Sequence, residues 1–162
     1  MLSQLSFGKR IFIDSNIFIY HFLGINPSCS ALLSRVETKD ILGFTSVIVI
    51  AEVWHRLMIA EAIEIFKLTP RQAVNYLKSR HQHVGQLTKC HQALRAIPKM
   101  NITIWSLPRK IFHTAESVSR EFGLLTNDSL NLALIRQHKL TDIATNDSDF
   151  EQIQDIKVWK PA

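Results

Sequence analysis

The sequence predicts an α/β fold: a three-layer α/β/α sandwich in which helices cover both faces of a central parallel sheet, with an added helical hairpin. Three observations carry that expectation. Short apolar runs of strand length alternate with segments of helical periodicity. The runs RIFID (Arg10–Asp14) and DIATND (from Asp142) are apolar through their middles, as strands covered on both faces must be. A cap-then-proline start at Thr69-Pro70 and a stop at Pro98 bracket two more helices between the second and third strand candidates. A chain of 162 residues fits one domain with one core, so residues 1–162 read as a single domain and 62–98 as a basic helical hairpin inserted in it.

Each element has its own signal. Arg10–Asp14 is the first strand and Asn16–Leu23 a short helix after it. Ser28–Val36 reads as a helix and Gly43–Thr45 as the second strand. Val47, Ile50, Ala51, Trp54, Leu57 and Met58 recur at helical spacing, which predicts a helix with those six on its apolar face, Ser46 as its N-cap and Glu52 beside the stripe. The Thr69-Pro70 helix runs to about Arg80, and His83–Ile97 is its partner. Asn101–Trp105 is the third strand candidate. Pro108 opens a helix with Ile111, Phe112, Ala115, Val118, Ser119 and Phe122 on one face and Gly123 as its C′ stop. Thr126 or Asn127 caps the next helix, which turns Leu130, Ala133 and Leu134 inward and ends near Lys139. Then come the strand Ile143–Thr145, the turn Asp147–Phe150 and an edge strand at Val158–Trp159.

Composition narrows the function classes. At 46% hydrophobic and 20% charged, the chain reads as globular rather than disordered. It has no apolar run long enough to span a bilayer, and its N-terminus lacks the pattern of a secretory signal, so the expectation is a cytoplasmic protein with no membrane contact. Cys29 and Cys90 belong to no Cys-x-x-Cys pair and read as ordinary reduced thiols. The net charge is +5, unevenly spread: Lys67–Lys110 contains no acid and holds 9 of the 19 Lys and Arg. An uninterrupted basic field attracts phosphate backbones, which makes Arg71, Lys78, Arg80, Lys89 and Arg95 candidate nucleic-acid contacts; a solvated face is the alternative.

Ligands of parallel α/β sheets bind beyond the carboxyl ends of the strands. Asp14 ends the first strand, Asp147 follows the strand Ile143–Thr145, Asp128 lies in the first turn of its helix, and Glu52 lies early in another. Four acids converging there would repel one another and have raised, coupled pKa values. A divalent cation relieves that repulsion, and oxygen ligands suit Mg²⁺ or Mn²⁺. Taken singly, each acid has an ordinary explanation: Asp14 as a helix cap, Glu52 as a solvated residue, Asp128 as a partner of the helix dipole, Asp147 and Asp149 as turn residues. His81-x-His83 and Cys90-His91 lack a second pair at zinc-site spacing. Phe66, Tyr76 and Trp105 could stack on bases, but core or helix–helix packing is the expectation.

The segments IFIDSNIFIY (Ile11–Tyr20), SVIVIAEVWHRL (Ser46–Leu57), LLTNDSLNLALI (Leu124–Ile135) and ATNDSDF (Ala144–Phe150) together resemble the PIN-domain family of metal-dependent ribonucleases. The resemblance runs from about residue 10 to residue 155, and its most specific part is the apolar strand leading into Thr-Asn-Asp-x-Asp-Phe. It implies a PIN-like sandwich whose catalytic and metal-holding acids are Asp14, Glu52, Asp128 and Asp147, with Asp149 as a further ligand. Asn16 and Thr145 match small polar positions that orient the acids or the water, although local turn and cap hydrogen bonds explain them equally well. The implied activity is endonucleolytic cleavage of single-stranded or loop RNA with Mg²⁺ or Mn²⁺, by a toxin of the VapC kind found in VapBC toxin–antitoxin pairs. Such toxins are commonly homodimers silenced by a small antitoxin. The hairpin at 62–98 departs from the smaller members and leaves substrate and partner open.

Two neighbouring readings are an RNA-processing or DNA-acting PIN nuclease outside any toxin pair, and a non-catalytic RNA-binding PIN domain. The presence of all four acids argues against the second. A phosphatase of the haloacid-dehalogenase type needs a second Asp two residues after the first, where this chain has Asn16, and no Gly-rich phosphate loop is present.

Overall fold

A parallel strand must send its chain back across the sheet before the next strand can pair, and here helices make most of those crossings. The computed structural model describes residues 1–162. Its elements run β1 (Arg10–Ile13), α1 (Ser15–Phe22), α2 (Pro27–Glu37), β2 (Leu42–Ser46), α3 (Val47–Phe66), α4 (Pro70–Ser79), α5 (His81–Val84), α6 (Lys89–Ala96), β3 (Thr103–Trp105), α7 (Ile111–Phe122), α8 (Thr126–Gln137), β4 (Asp142–Ala144) and β5 (Lys157–Trp159). Short 3₁₀ turns occupy Leu2–Gln4, Ile97–Lys99 and Ser148–Gln152.

The five strands form one parallel sheet in the order β3-β2-β1-β4-β5. The chain starts at the centre, steps outward to β3, then returns past β1 to β4. Right-handed crossovers in opposite directions place α1 to α3 on one face and α7 and α8 on the other, while α4 and α6 pack against α3. The strand order therefore reverses between β1 and β4, which leaves a crevice beyond their carboxyl ends. The fold expected from the sequence, a parallel sheet between helical layers, is the fold observed. No single helix is long and apolar enough to cross a membrane.

Ile11, Phe12 and Ile13 are fully buried, as a central strand covered on both faces requires. Gly43 has a packing reason: a Cβ there would lie 2.7 Å from the Val36 side chain and 2.9 Å from Ile13, so its absence lets α2 close on the sheet. Gly123 ends α7 in the left-handed conformation expected of it, with φ +68°. At the opposite end of β4 from the crevice, buried Asp142 accepts from Lys9 Nζ at 2.8 Å and Trp159 Nε1 at 2.7 Å, a structural ion pair remote from the site.

Several local expectations need correction. The helix after β2 exists and Ser46 caps it, but its buried face is Val49, Val53, Leu57, Glu61 and Ala62. Val47, Ala51 and Trp54 of the expected stripe are exposed. The run VIVIA is apolar on every side, so periodicity did not fix its rotation; the buried hydrogen bond from Ser46 Oγ to Asn131 Oδ1 (2.7 Å) helps to set it. The same helix continues to Phe66, so residues 62–66 belong to α3 rather than to the hairpin. His83–Ile97 is broken into α5 and α6 around Gly85–Thr88. Pro108 precedes α7 by one turn, and α8 begins at Thr126 itself, with Leu125 as its N-cap.

The break before α6 is stabilised by a residue outside the sequence expectations. Glu61 is buried on α3, and α6 begins without a side-chain cap of its own. Glu61 Oε1 accepts the backbone N–H groups of Thr88 (2.7 Å) and Lys89 (2.9 Å), and Oε2 accepts that of Cys90 (2.9 Å). A carboxylate from one helix thus satisfies the orphan donors and the positive dipole end of another. Burial alone would raise its pKa, but the three backbone donors hold it below the usual carboxylate value.

Glu61→Ala should therefore cost roughly 2–4 kcal/mol in urea unfolding, because it removes charge-assisted bonds and leaves three donors unpaired. Amide exchange at Thr88–Cys90 should accelerate. Because the folded pKa is depressed, the stabilisation by Glu61 is present above the unfolded carboxylate value and is lost as pH falls through the folded one. An unchanged midpoint with unchanged exchange would show that α6 does not depend on this cap.

Candidate active site

Four elements bring acids to the crevice between β1 and β4. Asp14 follows β1 and caps α1, where its Oδ1 accepts from Ser15 N at 2.7 Å. Its Oδ2 accepts from Thr145 Oγ1 at 2.6 Å and from Asn16 Nδ2 at 2.7 Å. Asn16 Nδ2 also donates to Thr145 Oγ1 (2.9 Å), and Asn16 Oδ1 accepts from Asn146 N (3.0 Å). Thr145 Oγ1 in turn accepts from Asp147 N at 3.0 Å. A closed polar network therefore ties the end of β1 to the chain leaving β4. Asp14 is 5% exposed, and burial raises its pKa; the Thr145 and Ser15 hydrogen bonds oppose the rise, while Glu52 and Asp147 add to it.

Asp128 stands in the first turn of α8 and accepts no hydrogen bond from the protein. Its pKa is pushed up to about 7, first by burial and then by the charges of Asp14, Asp147, Glu52 and Asp149. Asp147 caps the 3₁₀ turn Ser148–Gln152 through Asp149 N, at 2.9 Å, which brings the two acids to one side of that turn. One carboxylate oxygen from each of Asp128, Asp147 and Asp149 lies within 4.8 Å of the others. Glu52, half-buried in the second turn of α3, receives a long contact of 3.5 Å from Asn127 Nδ2. The tightest oxygen cluster is thus Asp128, Asp147 and Asp149, with Asp14 and Glu52 outside it. Three hard oxygen donors under mutual repulsion fit Mg²⁺ or Mn²⁺.

Asp14, Glu52, Asp128 and Asp147 open onto a cleft of about 900 Å³, walled by α1, α3 and the start of α8. None of Arg71, Lys78, Arg80, Lys89 and Arg95 lines it. Lys89 is paired with Glu64 at 2.8 Å, and the Arg80 guanidinium lies 4.5 Å from the Tyr76 ring centroid. The one cation on the cleft wall is Arg56, which nothing in the sequence singles out beyond its place four residues after Glu52.

The remaining sequence candidates have internal roles. Phe66, Tyr76 and His83 stack on one another between α3, α4 and α5, and Trp105 stacks on His138 with ring centroids 3.8 Å apart. Cys29 and Cys90 are buried thiols whose pKa burial lifts to about 11. The histidine and cysteine pairs of α5 and α6 form no ligand cluster.

Comparison with known proteins follows the same lines. The PIN domain family model matches residues 11–156. Ribonuclease VapC6 of Methanocaldococcus jannaschii is 24% identical over 153 residues, covering 94% of this chain and 97% of that protein. Ribonuclease VapC2 of the same organism is 26% identical over 150 residues, covering 93% of each. Among solved structures, VapBC2 from Rickettsia felis, bound to a DNA fragment from its promoter, shares the fold with a TM-score of 0.61 at 16% identity, covering 94% of this chain and 99% of that one. Mycobacterium tuberculosis VapC20, described as a toxin that cleaves the sarcin-ricin loop, aligns with a TM-score of 0.59 at 15% identity, over 89% of this chain and 95% of that one.

The raised pKa of Asp128 has a definite sign for stability. Between about pH 4 and about pH 7 the folded chain keeps a proton there that the unfolded chain has released. Its contribution to stability therefore falls as pH rises through that window. In chelator, Asp128→Asn should gain stability relative to the parent protein over the same window, as read by urea unfolding. Mg²⁺ or Mn²⁺ should raise the parent's melting temperature at pH 7 far more than at pH 4. A pH-independent difference between the two proteins would contradict the assignment.

Proposed function

The chain belongs to the PIN-domain family, and on that premise we propose that it is a VapC-type endoribonuclease that cleaves RNA phosphodiester bonds with Mg²⁺ or Mn²⁺. The observation that carries this reading is the oxygen cluster of Asp128, Asp147 and Asp149 at the strand-order reversal, with the buried carboxylate of Asp14 beside it. The names of the two curated relatives support ribonuclease chemistry, and the toxin–antitoxin structures that share the fold support a small antitoxin as partner.

The roles divide by geometry. Asp128, Asp147 and Asp149 present oxygens to a cation, and Glu52 completes the acidic wall from α3. Asp14 is fixed by Thr145, Asn16 and Ser15, so it holds its place without help from solvent. Thr145 and Asn16 are positioning residues, since both reach the site through Asp14 and the turn at Asp147. A divalent ion held there would supply Lewis acidity, neutralising charge on the phosphate and making the attacking water more acidic. Asp128 would hold the ion as the carboxylate, releasing the proton that burial and its acidic neighbours favour. The basic residues Arg71, Lys78, Arg80 and Arg95 act outside the cleft, as a field that draws in the RNA backbone. The protein acts in the cytoplasm, where its buried thiols stay reduced, and as a homodimer, a state that light scattering would read directly.

Cleavage of labelled RNA and DNA with Mg²⁺ or Mn²⁺ tests the reading. RNA should be cut and chelator should stop it. Asp14→Asn should lower the rate at least about a hundredfold with RNA binding retained, and Thr145→Ala about ten- to a hundredfold, as expected for a residue that orients others. Cleavage of DNA alone would move the chain to the DNA-acting alternative, and RNA binding with no cleavage to the non-catalytic one. Neutralising Arg71, Lys78 and Arg80 together should reduce the slope of log affinity against log salt by about 2.

A further inference from the structure

The cleft is not uniform, and its gradient follows two helix faces. On α3 the residues lining it are Glu52, Arg56, Ile59, Ala60 and Ile63, at i, i+4, i+7, i+8 and i+11, which is one continuous stripe. On α1 they are Ser15, Asn16, Ile19 and Tyr20, continued by Leu23 at its C-cap, with Asn16, Ile19, Tyr20 and Leu23 again on one stripe. Both begin polar at the acids and end apolar. Tyr20 and Arg56 mark the change. Arg56 lies about 6 Å along the helix axis from Glu52, a separation comparable with one nucleotide step of an extended single strand.

Arg56 is also unspent. It lines a cleft with Asp14, Glu52, Asp128 and Asp147, yet its side chain forms none of the five ion pairs of the molecule and makes no hydrogen bond. Tyr20, on the same cleft wall, has its hydroxyl accept one hydrogen bond, from Asn146 Nδ2 at 3.2 Å. A free guanidinium between an acidic floor and an apolar shelf matches a ligand with an anion next to a flat apolar body. A nucleotide has that construction: a phosphate for the bidentate fork and a base for the shelf. A base paired in a duplex could not reach it, because its faces are already stacked.

The geometry points to Arg56 and the apolar half of the cleft as a subsite for one nucleotide flanking the cleaved bond, with the guanidinium on its phosphate and its unstacked base against Ile19, Ile59 and Ile63. This rests on the ribonuclease reading and adds to it the residue that sets strand register and the apolar groups that meet the base beside the scissile bond. Ordinary surface arginines contribute only to the diffuse field; Arg56 contributes at one position.

The test uses the full chain and labelled single-stranded RNA with Mg²⁺ or Mn²⁺. Arg56→Gln should raise KM about tenfold and leave kcat within about threefold. It should lower the slope of log affinity against log salt by about 0.7, the loss of one single-strand phosphate contact. Arg56→Lys should recover only part of the KM, because an ammonium lacks the fork. Melting temperature should not move, since the side chain is exposed and unpaired. An abasic nucleotide walked along the substrate should raise KM about tenfold at one position next to the cut and have little effect further away. If the parent protein cuts RNA and Arg56→Gln matches it in KM and salt slope, the subsite is wrong and the ribonuclease reading stands. If the parent binds RNA without cutting, the ribonuclease reading fails, and the salt slope of binding still decides the role of Arg56. An abasic scan with no preferred position assigns the shelf to another occupant, such as a partner's apolar side chain, and overturns the base contact.

Discussion

Asp14 is a carboxylate buried at the point where two halves of the sheet meet, and the site around it depends on how that burial is compensated. An ionisable group placed there without partners would cost several kcal/mol. Ser15, Asn16 and Thr145 supply the donors, one from the start of α1, one from its first turn and one from the end of β4. The bonds run onward from Asn16 to Asn146 and from Thr145 to Asp147, so the position of the second acid follows from the anchoring of the first. β1 and β4 are neighbours in the sheet but belong to opposite ends of the chain. The polar network and the strand pairing therefore reinforce one another at the strand-order reversal, where both are needed.

Glu61 and Asp128 show how the same chemistry gives opposite results. For both, loss of solvent is the largest influence and acts to raise the pKa. Glu61 meets three backbone donors and ends below its usual value. Asp128 meets four other acids and no donor, and ends near 7. Glu61 thereby becomes a permanent charge that builds structure, holding α6 against α3. Asp128 is left with no compensating donor among its neighbours. That distinction separates a structural acid from a candidate functional one more sharply than burial does, since Glu61 is the more buried of the two.

Charge of the opposite sign is also divided by role. The acid-free stretch from Lys67 to Lys110 spreads its cations over exposed helices outside the cleft, where they act through a long-range field that salt screens. Arg56 comes from α3, ahead of that stretch, and is the cation placed on the cleft wall itself. In the proposed reading, attraction and register fall to different residues on different elements. The length of α3 makes this possible. It carries Glu52 and Arg56 to the cleft and Glu61 to α6, so one rigid element links the acids to the hairpin.

The sequence by itself determined the order of the elements, the parallel sheet and the convergence of Asp14, Asp128 and Asp147, because these follow from local signals: apolar runs, caps, prolines and the position of an acid at a strand or helix end. Local signals did not settle the face that α3 buries, since VIVIA is apolar on every side and only contacts such as Ser46 with Asn131 choose its rotation. Nor did they reveal Glu61, whose three donors lie more than 25 residues further along the chain. They offered Asp149 as a further ligand, and the 3₁₀ turn after β4 brings it beside Asp128 and Asp147 in the tightest oxygen cluster. They drew attention to the cations of the hairpin, and the fold adds Arg56 beside the acids. Each of these was decided by tertiary structure for one physical reason: a side chain's charge state and partners depend on what packs against it from distant parts of the chain, and no spacing along the sequence encodes that.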